Sequence, residues 1–147
     1  MKKRIVIFES IKLVSLMVKK SFDMFSDYFE GIGFTNPNEL KMENILNYLK
    51  ENKENINLII ISYDLKYTWF DSIQPKIREM TDKPIICLTS EDDRKELIEI
   101  LKADPNAYKV LKIDTSSILN VSAYILELEK ELDINFNFNL KSKTKSK

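Results

Sequence analysis

The residues that could do chemistry lie at or just beyond the ends of short apolar runs, where the buried strands of a sheet would end. They are two acids, a lysine and three hydroxyl side chains: Glu9, Asp64, Lys112, Ser10, Ser62 and Thr89. In proteins, Mg²⁺ is bound by oxygen ligands such as carboxylates that lie close together. A serine hydroxyl is a weak nucleophile unless a base activates it. The chain has no histidine, which excludes a Ser-His-Asp triad and any His-ligated metal site.

Length and composition describe one globular domain. The 147 residues are 44% hydrophobic and 31% charged, which is ordinary for a folded protein. Lys plus Arg and Asp plus Glu both number 23, so the net charge is zero and we expect no nucleic-acid binding through bulk charge. The single cysteine, Cys87, lies in an apolar run and is predicted to be a small buried hydrophobe in a reducing compartment.

The hydrophobic segments do not predict a membrane protein. The apolar run behind the basic N-terminus, Ile5–Phe8, is too short for the core of a signal peptide. No stretch approaches the roughly 18 apolar residues that a membrane-spanning helix requires. We therefore expect a cytoplasmic protein that contacts no membrane.

Short apolar strands alternate with amphipathic helices along the first 133 residues. The predicted strands cover 5–8, 28–34, 56–61, 85–88 and 108–113. Apolar stripes mark the helices at 14–25, 42–49, 69–80, 97–101 and 118–132. This (βα)5 order predicts an α/β fold, a doubly wound flavodoxin-like parallel sheet with strand order 2-1-3-4-5. In such a sheet the ligand crevice lies at the carboxyl ends of the first and third strands.

The second helix has the clearest predicted start. Asn36 can act as the N-cap, Pro37 suits the first helical position, and Glu39 completes a capping box. These residues predict a helix that begins directly after Asn36.

The third helix contains a proline within its apolar pattern. Pro75 predicts that this helix, over 68–80, either kinks or begins near Gln74. Trp69 is interpreted as a residue that packs between helix and sheet. The alternative is that Tyr67, Trp69 and Phe70 form an exposed docking patch.

The sequence resembles the receiver domain of two-component response regulators, a CheY-like fold, over residues 3–132. The resemblance rests on the (βα)5 order and on the residues that end strands one, three, four and five. There the family has an acidic pair, a phosphoacceptor aspartate, a threonine or serine, and a lysine followed by proline. In this chain the same places are held by Glu9-Ser10, Ser62, Thr89 and Lys112, with Tyr108 resembling the aromatic of the fifth strand.

Three positions depart from the family pattern. The acidic pair keeps only Glu9, the phosphoacceptor position is Ser62, and Ile113 stands where proline follows the lysine. Aspartyl phosphorylation needs a carboxylate nucleophile and a Mg²⁺ held by about three oxygen ligands. The sequence therefore predicts a degenerate pocket and a pseudo-receiver, which keeps the fold without phosphotransfer chemistry, metal or cofactor.

A protein that has the receiver fold but no phosphotransfer chemistry must act by binding a partner through its surface. We expect a stand-alone signal-transduction module, not an enzyme, that binds a protein partner in a signalling pathway or phosphorelay. The resemblance implies that the contact surface is the face of the fourth helix, fifth strand and fifth helix. A homodimer through this face is a further expectation.

Other functions stay open at this point. Asp64 lies two residues beyond Ser62 and points the same way by strand parity, so a longer strand would make it the phosphoacceptor, with Glu9 and Asp64 as Mg²⁺ ligands. The acidic cluster 91–93 is interpreted as complementing the dipole of the fourth helix. A flavodoxin-like enzyme that binds a nucleotide or flavin is the alternative of another class, but no glycine-rich phosphate loop follows the first strand.

The C-terminal segment does not belong to the receiver pattern, which covers 1–133. Residues 134–140 alternate apolar side chains with asparagine, the period of a strand with one apolar face. They predict a sixth strand beside the fifth, a strand exchanged with a partner or second copy, or a linker. Residues 141–147 alternate lysine with serine or threonine and are predicted to be a disordered tail.

Overall fold

The computed structural model describes residues 3–23, 29–90 and 95–111, in which strands and helices alternate. The strands are β1 Lys3–Phe8, β2 Phe29–Phe34, β3 Leu58–Ser62, β4 Ile85–Thr89 and β5 Ala107–Leu111. The helices are α1 Lys12–Asp23, α2 Met42–Asn52, α3 Phe70–Met80 and α4 Lys95–Ala103, with a 3₁₀ turn at Lys53–Asn55.

The five strands form one parallel sheet in the order β2-β1-β3-β4-β5. This confirms the predicted fold class and strand order. β3 lies at the centre and all of its residues are buried, as are those of β4. The isoleucine-rich sequence of β3 suits this place, because β-branched side chains pack well on a sheet that is covered on both faces. Cys87 in β4 is buried, as predicted.

Alternate residues of the strands face two apolar cores. The core under α1 contains the strand residues Ile5, Ile7, Leu58, Ile60, Ile86 and Leu88. The core under α2, α3 and α4 contains the strand residues Val6, Phe8, Ile59, Ile61, Ile85 and Cys87. Because a slip of one residue would exchange the two faces of a strand, this burial fixes the register of the sheet.

β2 carries both glycines of the chain, and α1 crosses it closely. A Cβ atom at Gly33 would lie 2.8 Å from Oγ of Ser15, and one at Gly31 would lie 3.2 Å from Cγ of Lys19. A larger side chain at either position would force the side chain of Ser15 or Lys19 to shift. The glycines therefore let α1 pack closely on β2.

The predicted start of the second helix at Asn36 is wrong, because α2 begins at Met42. The capping signal closes a separate turn instead, in which Oε1 of Glu39 accepts a hydrogen bond from the Asn36 N–H (3.2 Å). Leu40 ends this turn as a buried side chain, and its carbonyl accepts a hydrogen bond from the Thr68 hydroxyl (2.7 Å). These tertiary contacts anchor the turn to the core before the helix begins.

α3 begins at Phe70 and contains Pro75 in its interior. The alternative that the helix begins near Gln74 is therefore wrong. The proline removes one backbone hydrogen bond from the helix, while Phe70, Ile73 and Ile77 bury its apolar face. Neither α3 nor any other helix in the described ranges is long and apolar enough to cross a membrane.

Of the three aromatic residues around the start of α3, two are exposed and one is buried. Trp69 is 42% exposed and Tyr67 is 63% exposed, whereas Phe70 is fully buried. The prediction that Trp69 packs between helix and sheet is therefore wrong. Its ring meets the edge of the Tyr63 ring instead, with centroids 5.9 Å apart.

A partly buried ion pair lies at the amino-terminal edge of the sheet. Nε of Arg78 is 2.6 Å from Oδ2 of Asp104. Arg78 also donates hydrogen bonds to the carbonyls of Thr81 and Lys83, which precede β4. Since Asp104 precedes β5, the pair joins α3 to the turns that lead into the last two described strands.

Several predictions concern segments outside the described residues. They include Lys112, the acidic cluster 91–93, the fifth helix, the strand-like segment 134–140, the tail 141–147 and the boundary at 133.

We expect Gly33→Val to destabilise the fold by about 1–3 kcal/mol, even though valine favours strands, because its side chain would overpack the contact between β2 and α1. Gly33→Ala should cost less, since its added carbon meets only the Ser15 hydroxyl. Urea denaturation of both variants measures this, with Gly33→Ala/Ser15→Ala as the control that relieves the contact. Equal stability of Gly33→Val and the unsubstituted protein would contradict the packing argument.

Candidate functional site

The parallel register brings three predicted site residues to one edge of the sheet. Phe8 of β1 pairs with Ile61 of β3, so Glu9 follows beside Ser62. Ser62 pairs in turn with Leu88 of β4, which Thr89 follows. Glu9, Ser62 and Thr89 therefore come from three neighbouring strands at their carboxyl ends, as the sequence predicts.

Glu9 is a buried carboxylate that holds the turn between β1 and α1. Its side chain has no exposed surface, and Oε2 accepts a hydrogen bond from the backbone N–H of Ile11 (3.1 Å). Its own N–H donates to the carbonyl of Phe34 at the end of β2 (3.1 Å). The carboxylate thus does a structural task, because it satisfies a backbone donor just before the first turn of α1.

Ser62 and Thr89 are also buried, at 0% and 1% exposure. Neither residue is without a partner. Ser10, the neighbour of Glu9, is only partly buried. Burial of Ser62 means that a reagent in solvent reaches its hydroxyl only through the residues above it.

A cleft of about 330 Å³ opens above these residues, between the loops that follow β1, β3 and β4. Its lining consists of Ser10, Ile11, Tyr63, Asp64, Lys66, Leu88, Thr89 and Ser90. Glu9 and Ser62 are not part of this lining. The cleft therefore brings together Ser10, Thr89 and Asp64 from the predicted set, whereas the buried side chains of Glu9 and Ser62 do not line it.

Asp64 lies beyond the end of β3, in an exposed loop. Its Oδ1 accepts a hydrogen bond from the backbone N–H of Lys66 (2.7 Å), the Asx-turn that aspartate favours in loops. Lys66 has a positive φ of 77°, a conformation that costs energy for a residue other than glycine. The carboxylate thus stabilises a strained turn.

The loop after β3 is held by backbone contacts at both ends. The Leu65 N–H donates to the Thr68 carbonyl (3.0 Å), and the Phe70 N–H donates to the Tyr63 carbonyl (2.9 Å). Within the loop, Leu65 and Thr68 are buried. The loop closes on itself before α3, so β3 does not extend to Asp64.

The donor set of the described residues is poor for a divalent cation. No group of three histidine, cysteine, aspartate or glutamate side chains lies close enough to hold a metal ion in the ranges 3–23, 29–90 and 95–111. The two carboxylates in question, Glu9 and Asp64, each accept a backbone N–H. A Mg²⁺ site at this edge would need oxygen ligands that these residues do not supply as arranged.

The family resemblance also assigns roles to Lys112 and Tyr108. Lys112 lies outside the described residues. Tyr108 is buried in the core under α1, and its hydroxyl donates to the carbonyl of Pro105 (2.9 Å). Burial raises the pKa of the Tyr108 phenol above its ordinary value, and the nearby Asp104 raises it further.

Sequence reasoning missed three residues that line the cleft: Ile11, Lys66 and Leu88. The spacing Asp64-x-Lys66 was the available signal, because an aspartate commonly accepts the N–H of the residue two positions on.

Comparison with known proteins gives a likeness in structure and none in sequence. No protein-family model matches the sequence, and no curated protein matches it. The phosphorylated cyanobacterial phytochrome response regulator RcpA superposes with a TM-score of 0.71 at 14% identity, covering 90% of this chain and 96% of that chain. A two-component response regulator from Clostridium difficile gives 0.68 at 17% identity, covering 90% and 100%.

A receiver domain protein from Methanospirillum hungatei is also similar, with a TM-score of 0.61, 18% identity and coverage of 89% of this chain and 99% of that chain. The chain has the receiver fold of response regulators. The predicted resemblance is thereby confirmed at the level of the fold.

The hydrogen bond from Lys66 to Asp64 gives a prediction about loop stability. We expect Asp64→Ala to cost about 0.5–1.5 kcal/mol, because the Lys66 N–H loses its acceptor. Asp64→Asn should be nearly neutral, since its amide oxygen can accept the same bond. Urea denaturation measures both variants, and equal losses for Asn and Ala would contradict a structural role of this oxygen.

Proposed function

We propose that the protein is a pseudo-receiver, a signalling module of receiver fold that binds a protein partner without being phosphorylated. The receiver fold supports the signalling role. The residues at the carboxyl edge support the absence of phosphotransfer. We propose neither an enzymatic activity nor a bound cofactor for it.

The observation that carries the proposal is a buried hydroxyl, Ser62, at the end of the central strand where an acyl phosphate would need a carboxylate. A hydroxyl there is a poor nucleophile without a positioned base, and the chain has no histidine to supply one. Glu9, the acid that follows the neighbouring strand β1, is buried and accepts the Ile11 N–H. Both requirements of aspartyl phosphorylation, the nucleophile and the metal ligands, are therefore weakened together.

A phosphorylatable receiver that uses Asp64 is the second candidate. The exposure of Asp64 and its place in the lining of the cleft favour it. Against it, the Asp64 carboxylate accepts the Lys66 N–H, and the loop leaves the sheet at Ser62. Glu9 and Asp64 would be the Mg²⁺ ligands in this case. For a nucleotide- or flavin-binding enzyme, no contact in the described residues gives support.

The proposed partner is a protein in the cytoplasm. A single free cysteine that is buried suits a reducing compartment, and a net charge of zero gives no support for nucleic-acid binding. The face of α4, β5 and the predicted fifth helix, or the segment 134–140, remains a proposed homodimer surface.

The proposal is tested by adding Mg²⁺ and beryllofluoride, a mimic of the aspartyl phosphate, while amide chemical shifts are recorded. We expect no shifts at Asp64 or Thr89 beyond those that Mg²⁺ and fluoride cause separately. The double variant Ser10→Asp/Ser62→Asp restores the acids of the family pattern next to Glu9. We expect it to respond to beryllofluoride at these same amides.

The isosteric variant Ser10→Asn/Ser62→Asn is the matched control, because it adds similar volume without charge. It should not respond. Circular dichroism tests whether both double variants are folded. If the aspartate variant does not fold, the response of the unsubstituted protein to beryllofluoride is the test of the proposal. Saturable amide shifts at Asp64 and Thr89 in the unsubstituted protein would overturn the proposal in favour of a receiver that is phosphorylated at Asp64.

A further inference from the structure

A buried amide oxygen between α3 and α4 has no hydrogen-bond donor among the described residues. It is Oε1 of Gln74, a residue of α3 that is only 7% exposed. Nε2 of the same side chain donates to Oδ2 of Asp104 (2.6 Å). Because a carboxylate oxygen can only accept, this bond fixes the amide nitrogen toward Asp104 and turns Oε1 away from it. A buried acceptor without a partner is costly, so Oε1 calls for a donor.

The neighbouring arginine does not supply this donor. Arg78 lies one helical turn after Gln74, on the same face of α3. Its guanidinium donates to Asp104 and to the carbonyls of Thr81 (3.1 Å), Lys83 (2.8 Å) and Asn106 (3.2 Å). These bonds hold the arginine against the turns that precede β4 and β5. The missing donor must therefore come from outside the described part of the chain.

Gln74 lines a cleft of about 440 Å³ between α3 and α4, toward the amino-terminal edge of the sheet. We call it the α3–α4 cleft. Its other wall contains Glu99 and Ile100 of α4, and Pro105 follows in the turn before β5. The volume is within the range of about 300–1,000 Å³ that is usual for small-molecule sites. A molecule held in the cleft can thus supply the donor that Gln74 lacks.

The charge of the α3–α4 cleft favours a cation. Asp82 and Glu99 add two exposed carboxylates to its lining, and neither forms an ion pair within the described ranges. The charge of Arg78 is already balanced by Asp104. Both α3 and α4 end at this edge, and the C-terminal end of a helix dipole is negative. Lys102, in the last turn of α4, is exposed and does not line the cleft.

We propose that the α3–α4 cleft binds a small alkyl amine through its protonated amino group. An ammonium group has three N–H donors, so one of them can bond to Oε1 of Gln74 while Asp82 and Glu99 attract the charge. The alkyl stem would contact Ile100 and Pro105, which belong to the apolar part of the lining. The inference goes beyond the proposed function, because it assigns a ligand to the edge of the sheet opposite to the candidate functional site.

Other occupants fit the α3–α4 cleft less well. No group of three histidine, cysteine, aspartate or glutamate side chains in the described ranges lies close enough to hold a metal ion. An anion would meet the carboxylates of Asp82 and Glu99, and Arg78 is already paired with Asp104. The lysines of residues 141–147 carry the same ammonium group as an alkyl amine, so the test separates them from a free ligand.

The test titrates the full chain with butylamine and records amide chemical shifts, including those of the Gln74 side chain. We expect saturable shifts at Gln74 and at residues 99–106, and none at Thr89. Butanol has the same stem without the charge, and tetramethylammonium has the charge without an N–H group. We expect both to bind about tenfold more weakly than butylamine, since a hydrogen bond to a charged group contributes about that factor.

Substitutions separate the charge of the cleft from its buried acceptor. Asp82→Asn/Glu99→Gln removes two exposed carboxylates and should weaken butylamine about fivefold, as expected for exposed ion pairs. Asp71→Asn/Glu96→Gln is the matched control, because it removes the same charge from exposed acids of α3 and α4 outside the lining. It should leave the affinity unchanged.

Gln74→Met keeps the length of the side chain and removes Oε1, so it should weaken butylamine about tenfold. This variant also loses the bond to Asp104, and circular dichroism tests whether it folds. If it does not, the carboxylate variant and its control are the test of the inference.

The tail variant Lys141→Gln/Lys143→Gln/Lys145→Gln/Lys147→Gln tests the other source of ammonium groups. We expect its spectrum to match that of the unsubstituted chain at Gln74 and residues 99–106. Shifts at these amides without any added amine would show that the tail occupies the cleft, which would overturn the proposed free ligand.

Three further results would contradict the inference. They are the absence of saturable shifts with butylamine, which would leave water as the partner of Oε1, equal affinity for tetramethylammonium, and an equal effect of the control acid variant. The beryllofluoride experiment is read separately, at Asp64 and Thr89. Failure of the amine site can therefore be told from failure of the proposed function.

Discussion

The parallel register of β1, β3 and β4 is the constraint on which the site depends. Burial on both faces fixes this register, because Ile59 and Ile61 face one core while Leu58 and Ile60 face the other. Glu9, Ser62 and Thr89 then meet at one edge, whatever chemistry they carry. The fold thus fixes where these side chains lie, and the residue types at that edge decide what chemistry is possible there.

The strands could be predicted from the sequence, because double burial demands continuous apolar runs such as Ile59–Ile61 and Ile85–Leu88. The start of α2 could not. The capping residues Asn36 and Glu39 do make the expected local bond, but the buried Leu40 and its bond to Thr68 end the turn. Local signals describe one turn correctly, whereas the length of a helix depends on tertiary contacts that lie far along the chain.

In the candidate site, too, the positions of the residues could be predicted but their contacts could not. Positions at the ends of strands follow from topology, so Glu9, Ser62 and Thr89 could be placed in advance. The use of each polar group could not be foreseen, because it depends on which backbone donors the loops expose. Glu9 accepts the Ile11 N–H and Asp64 accepts the Lys66 N–H, so both acids have structural tasks that their spacing alone does not reveal.

We propose above that no acyl phosphate forms at this edge of the sheet. The intact mass of the protein tests this directly, after incubation with acetyl phosphate and Mg²⁺ under conditions that keep acyl phosphates intact. We expect an unchanged mass. A stoichiometric gain of one phosphoryl group, lost on treatment with hydroxylamine and abolished by Asp64→Asn, would contradict it.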